Sequence, residues 1–112
     1  MRNQIYYLLD FHNQCQIIIQ NSEELTDKYC KYINLLLNEY FTEEEQMQLK
    51  LKNFDSNKLY EFAYTGGIEN ISFDNINPII LEDFFHKISV IDLKYFLRDD
   101  YFTNLNFIKI KK

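Results

Sequence analysis

Apolar side chains recur at every second position over residues 4–20, and this pattern constrains the fold more than any other feature of the chain. Ile5, Tyr7, Leu9 and Phe11 alternate with Tyr6, Leu8 and Asp10. Beyond His12 and Asn13, the residues Cys15, Ile17 and Ile19 alternate with Gln16, Ile18 and Gln20. A period of two is the spacing of a strand, and Asn13 tolerates the positive φ of a tight turn, so the pattern predicts a β-hairpin. Tyr6 and Leu8 make the first strand apolar on both faces, which predicts a central strand or one carrying a helix on each side.

The next stretch has the other period. Asn21 or Ser22 can cap a helix that opens on Glu23 and Glu24, whose charge is opposite to that of the helix end. Leu25, Tyr29, Tyr32, Ile33, Leu36 and Tyr40 then fall at helical spacing, with Asp27, Lys28, Lys31, Asn34 and Asn38 around the rest. Thr42-Glu43-Glu44-Glu45 is a capping box: the Thr42 hydroxyl reaches the amide of Glu45, and the Glu45 carboxylate returns to that of Thr42. A second helix therefore starts at Glu43. Met47, Leu49 and Leu51 leave residues 47–53 open between a strand and a short helix.

From Lys58 the alternation returns, with Leu59, Glu61 and Ala63 against Tyr60, Phe62 and Tyr64. Thr65-Gly66-Gly67 holds both glycines of the chain and reads as the turn into a strand over 68–73. Asn77 caps a short helix over about 79–87, with Pro78 at its first position. Residues 90–98 fit a strand and, less closely, a helix. A turn at Asp99-Asp100 leads to a last strand over 105–110. The order ββααββαββ predicts one α+β domain over residues 1–112, a mainly antiparallel sheet of about five to six strands with two to three helices on one face. A core of rings is expected, since 9 Tyr and 10 Phe supply the apolar area that scarce Ala, Val and Met do not.

Charge narrows the function classes. The chain carries 17 acids against 12 bases, a net −5, which argues against nucleic-acid or membrane-surface binding because both rest on basic patches. The N-terminus reaches Asp10 without a small-residue cleavage site. The longest apolar runs, such as Ile17-Ile18-Ile19, fall short of the ~20 residues of a membrane helix. A cytoplasmic protein with reduced Cys15 and Cys30 is expected. Abundant Ile, Asn and Lys beside a single Ala and a single Val are what an AT-rich gene encodes, pointing to a low-GC bacterium or one of its mobile elements.

Catalytic and metal chemistry has few candidates. His12, Cys15, Cys30 and His86 are the soft ligands, and such a set suits tetrahedral Zn²⁺. Only His12 and Cys15 are close in sequence, and buried free thiols are the simpler reading. The same residues offer a Cys–His nucleophilic pair, with Asp10 or Glu82 orienting the imidazole. Neither thiol sits at a helix N-terminus, however, and no Gly-rich turn supplies an oxyanion hole. Glu23-Glu24, Glu43-Glu44-Glu45, Glu82-Asp83 and Asp99-Asp100 read as helix starts and turns rather than acid–base machinery. Thr65-Gly66-Gly67 lacks the glycines and the lysine of a phosphate loop. No catalytic residue, metal or cofactor is expected.

Segregated charge is what stands out. Without Lys109, Lys111 and Lys112 the chain holds 17 acids and 9 bases. Between Lys31 and Lys50 lie Glu39, Glu43, Glu44 and Glu45 with no base, bordering Tyr40 and Phe41; Asp99, Asp100, Tyr101 and Phe102 repeat the combination. Acids steer a basic surface and aromatics anchor it. Glu39, Tyr40, Phe41, Glu43, Glu44, Glu45, Asp99, Asp100 and Tyr101 are therefore the expected partner-binding set. The competing reading makes the acids a solubility device and the aromatics core. The expected function is that of a small acidic non-enzymatic inhibitor of a larger basic protein, such as an immunity protein or antitoxin against a nuclease toxin. A phage or mobile-element anti-defence protein of the anti-CRISPR type would use the same physics. A small thiol or zinc-dependent protein built on Cys15, Cys30, His12 and His86 is the third possibility. A monomer or homodimer is expected, with no direct contact to nucleic acid or membrane.

Overall fold

The computed structural model describes residues 4–64, 71–91 and Phe96. Its elements are α1 (Gln4–Ile19), α2 (Glu23–Tyr40), α3 (Glu43–Gln48), α4 (Ser56–Tyr64) and α5 (Pro78–Ser89), and among the described residues there is no strand. The expected α+β fold with an antiparallel sheet is thereby overturned: over the described residues the architecture is all-helical.

The expected hairpin over 4–20 is the single helix α1. Tyr7, Phe11, Cys15 and Ile18 are buried and form one helical stripe, while Tyr6, Leu9 and Ile17 stand exposed on the other side. Because the segment is apolar nearly all the way round, a period of two can be picked out of it as easily as one of 3.6. It also lacks any Gly or Pro to reverse the chain. The strand expected from Lys58 fails for a related reason. Leu59, Phe62 and Ala63 are buried at i, i+3 and i+4 of α4, and Tyr60, Glu61 and Tyr64 face out.

Over 47–53 the chain is neither strand nor extended helix. After α3 ends at Gln48 it turns through positive φ at Lys50 and Asn53, which places Leu49 and Leu51 in the core. Residues 71–73 join no ladder, and of the expected strand over 90–98 only Val90, Ile91 and the fully buried Phe96 are described. The Gly66-Gly67 turn, the Asp99-Asp100 turn and the strand over 105–110 lie outside the described residues.

The helices expected from local chemistry are present. Ser22 caps α2, its Oγ accepting from the Leu25 amide at 3.1 Å. Both bonds of the Thr42 capping box form, at 3.1 and 2.9 Å. Asn77 caps α5 with Pro78 in the first turn.

α1 lies against α4 and α5, and α2 touches all three. Their shared core is built of rings. Phe11 meets Phe62 at 4.9 Å, Phe54 at 5.8 Å and Phe85 at 6.2 Å. Tyr7 stacks on Phe85, and Phe84 meets Phe41 edge-on. Most of these pairs are tilted or edge-to-face, the arrangement that ring quadrupoles favour.

Polar side chains close the ends that helices leave open. The hydroxyls of Tyr29 and Tyr32 donate to the carbonyls of Ile88 and Lys87 at 2.5 and 3.1 Å, so α2 satisfies two of the last carbonyls of α5. Buried Gln46 donates from Nε2 to the carbonyls of Leu37 and Phe41, which seats α3 under the end of α2. Asn34 donates to the Phe54 carbonyl at 2.8 Å and accepts from the Phe54 amide at 3.0 Å, pinning the loop between α3 and α4.

Candidate functional site

The end of α2 sorts the expected contact residues into two groups. Phe41 follows the last turn and is only 6% exposed, its ring 5.0 Å from Phe84. It belongs to the core. Tyr40 is half-buried, and its hydroxyl donates to Asp83 Oδ2 at 2.7 Å. The Lys87 ammonium contacts the same hydroxyl and lies 3.3 Å from Asp83 Oδ2. Tyrosine, carboxylate and ammonium thus clasp α2 to α5. Neither Tyr40 nor Phe41 is simply presented to solvent.

The acids behave differently. Glu43 and Glu44 are exposed in the first turn of α3, with Glu43 3.8 Å from Lys52. Glu45 is spent on the capping box, and Glu39 is half-buried on α2. Asp99, Asp100 and Tyr101 lie outside the described residues. Residues three and four apart share a helix face, so Met47, 59% exposed, stands beside Glu43 and Glu44. Met47 is an exposed apolar side chain that the sequence reading missed. Its signal was present in the helical phase that starts at Glu43, but the alternation through Leu49 and Leu51 masked it.

Asp83 links this end of the molecule to a second acidic feature. Between α1 and α5 lies a cleft of about 290 Å³, with Tyr7 and Asp10 on the α1 wall and Glu82, Asp83 and His86 among the residues of the α5 wall. Asp10 and Glu82, considered earlier only as orienters of a histidine, face one space because the two helices lie side by side.

The soft ligands stay apart in role. Cys15 and Cys30 are buried free thiols. Burial pushes Cys15 far up, and neighbouring Cys30 adds to the effect. Burial, followed by the charges of Asp55 and Asp27, pushes Cys30 up to about 12. Both are protonated at neutral pH, and a thiol is neither a good nucleophile nor a metal ligand. His12 donates from Nδ1 to the Phe62 carbonyl at 2.6 Å, because a carbonyl can only accept, and so ties α1 to α4. His86 is exposed on α5. Among the described residues no three His, Cys, Asp or Glu side chains converge on a position for a metal ion.

The raised thiols predict a pH dependence with a definite sign. A group held protonated by the fold stabilises it fully below the group's unfolded pKa, and the contribution is lost as pH rises toward the folded value. For Cys30 that window runs from 9.0 to about 12, and Cys15 and Tyr29 are shifted in the same direction. The thermal midpoint should fall progressively above pH 9, and Cys30→Ala should shallow the fall. A profile that Cys30→Ala leaves unaltered would show that the thiol does not titrate against the fold.

No family model matches the chain, and no curated protein and no solved structure matches it. Among the described residues no helix is long and apolar enough to cross a membrane. Function has to be read from the surface: an acidic turn beside an exposed methionine, and an acidic cleft.

Proposed function

We propose that this protein is a small non-enzymatic inhibitor that binds and neutralises a larger basic protein in the cytoplasm, as a monomer or homodimer. The partner is a nucleic-acid-binding protein such as a nuclease toxin, or a defence effector in the anti-defence version of the same reading. The observation that carries the proposal is the outward face of α3, where Glu43 and Glu44 flank exposed Met47. Carboxylates steer and orient a basic surface, and a flexible thioether fills an irregular apolar gap on it. The face is preorganised, because the capping box and the buried Gln46 hold α3 in place, so little ordering entropy is lost on docking. Protonated thiols give no comparable support to the thiol alternative, and among the described residues no cluster of metal ligands supports the zinc one.

Capture of a basic partner by the intact protein, followed by a salt series, tests the reading. Association should slow as salt rises, as screened steering requires. Glu43→Lys with Glu44→Lys should weaken capture at least about tenfold, or ~1.4 kcal/mol, and Met47→Ala should raise the dissociation rate. Unchanged capture by the folded double variant would remove α3 from the interface.

A further inference from the structure

We infer that the outward face of α1 is a dimer interface, on which two copies of this chain pack antiparallel about a two-fold axis at Asn13. Leu9, Asn13 and Ile17 are exposed at intervals of four and form one ridge along the helix. The ridge lies opposite the buried stripe of Tyr7, Phe11, Cys15 and Ile18. Exposed Tyr6 and Gln20 extend it by three positions at either end. Five side chains a copy are far fewer than the ~20–30 a side of a standard interface, so the dimer is weak and forms at high protein concentration.

Two observations commit the face to a second copy. The first is its symmetry. Leu9 and Ile17 stand equally far from Asn13, as do Tyr6 and Gln20. When two such ridges run antiparallel with Asn13 level with Asn13, Leu9 of each copy comes level with Ile17 of the other. An isologous interface requires this self-complementarity, and a different protein does not. At the centre the two Asn13 amides, each with a donor and an acceptor, satisfy one another, and a central asparagine of this kind fixes register. The second observation is charge. The chain carries a net −5, so two copies repel wherever their acids meet. The ridge holds no acid or base, and Asp10 is the one Asp, Glu, Lys or Arg between Gln4 and Ile19. Half-buried beside the ridge, Asp10 comes level with Gln16 of the other copy in the antiparallel arrangement, whereas a parallel one sets the two Asp10 carboxylates level. A basic protein finds no carboxylate on the ridge to pair with, which separates this face from that of α3.

Sedimentation equilibrium of the full chain from about 10 μM to about 1 mM should show the mass rising from one chain toward two. Leu9→Lys with Ile17→Lys should weaken the dimer at least about tenfold. Asn13→Asp should do the same, because it keeps the side chain's shape and sets two carboxylates face to face. Glu43→Lys with Glu44→Lys should leave the dimer intact. Cross-linking by oxidised glutathione reads the geometry: Leu9→Cys and Ile17→Cys should link when mixed and far less when alone, and Asn13→Cys should link to itself. Cys15 and Cys30 are buried and do not compete. Circular dichroism reports whether each variant is folded, and the cysteine variants serve if the lysine pair is not. A single-chain mass at every concentration overturns the inference, as does a dimer that the folded lysine or aspartate variants leave unchanged. Leu9→Cys and Ile17→Cys linking alone but not when mixed overturns it too. So does a lysine pair that melts well below the parent in dilute solution, since residues of the same chain would then cover the face. A dimer that captures no basic partner sinks the inhibitor reading alone, and capture by a strictly monomeric chain sinks the dimer alone.

Discussion

Asn13→Pro is expected to lower the melting temperature by about 12 °C, or to prevent folding altogether. Asn13 is exposed in the middle of α1, so its side chain loses nothing. The cost comes from the backbone: proline removes one helical hydrogen bond and clashes with the carbonyl one turn before it, ~3 kcal/mol or more. At roughly 4 °C per kcal/mol for a domain of this size, that gives the stated shift. A kink there would also unseat Phe11 from Cys15 and Ile18 along the buried stripe. The control is Asn13→Ala, which should be neutral or slightly stabilising, since alanine is the best helix former. A hairpin turning at this residue would reverse the order, accepting proline and resenting the loss of an asparagine that tolerates positive φ. Thermal melts of the two variants therefore separate the folds directly.

Phe11→Ala is expected to cost ~3–5 kcal/mol in denaturant unfolding, a large share of the 5–15 kcal/mol that holds an ordinary domain together. The ring is fully buried and meets Phe54, Phe62 and Phe85, so it joins α1 to α4, α5 and the loop between α3 and α4. Its removal leaves a cavity that three other rings cannot close without leaving their own contacts. Leu9→Ala, on the exposed side of the same helix, should change stability by no more than about 0.5 kcal/mol. A cost below about 1 kcal/mol for Phe11→Ala would place the ring outside the core.

The legible parts of the fold share a property. Ser22, the Thr42 box and Asn77-Pro78 act on amides within three residues of themselves, so their meaning survives without knowledge of the rest of the chain. The extent of α2 was legible too, because its polar and apolar residues are well segregated around the axis. α1 and α4 were not. α1 has apolar residues on nearly every side and α4 is short, so their alternation matched a strand, and what decides between the periods is which face finds neighbours. The acids of the candidate site were legible as charge. That Phe41 turns inward and Met47 outward was not, because the inward position is defined by Phe84 on a distant helix.

What the sequence determined by itself was a ring-filled core, an acidic body, and the starts of the helices α2, α3 and α5, all consequences of composition or of bonds between near neighbours. The tertiary structure decided the rest. It replaced a sheet with helices because burial of Phe11 against Phe62 and Phe85 outweighs local alternation. It withdrew Phe41 into the core, tied half-buried Tyr40 to Asp83 and Lys87, and put Met47 at the surface. It also brought Asp10 and Glu82 to opposite walls of one cleft, a juxtaposition that no local pattern encodes, because only the lateral contact of α1 with α5 creates it.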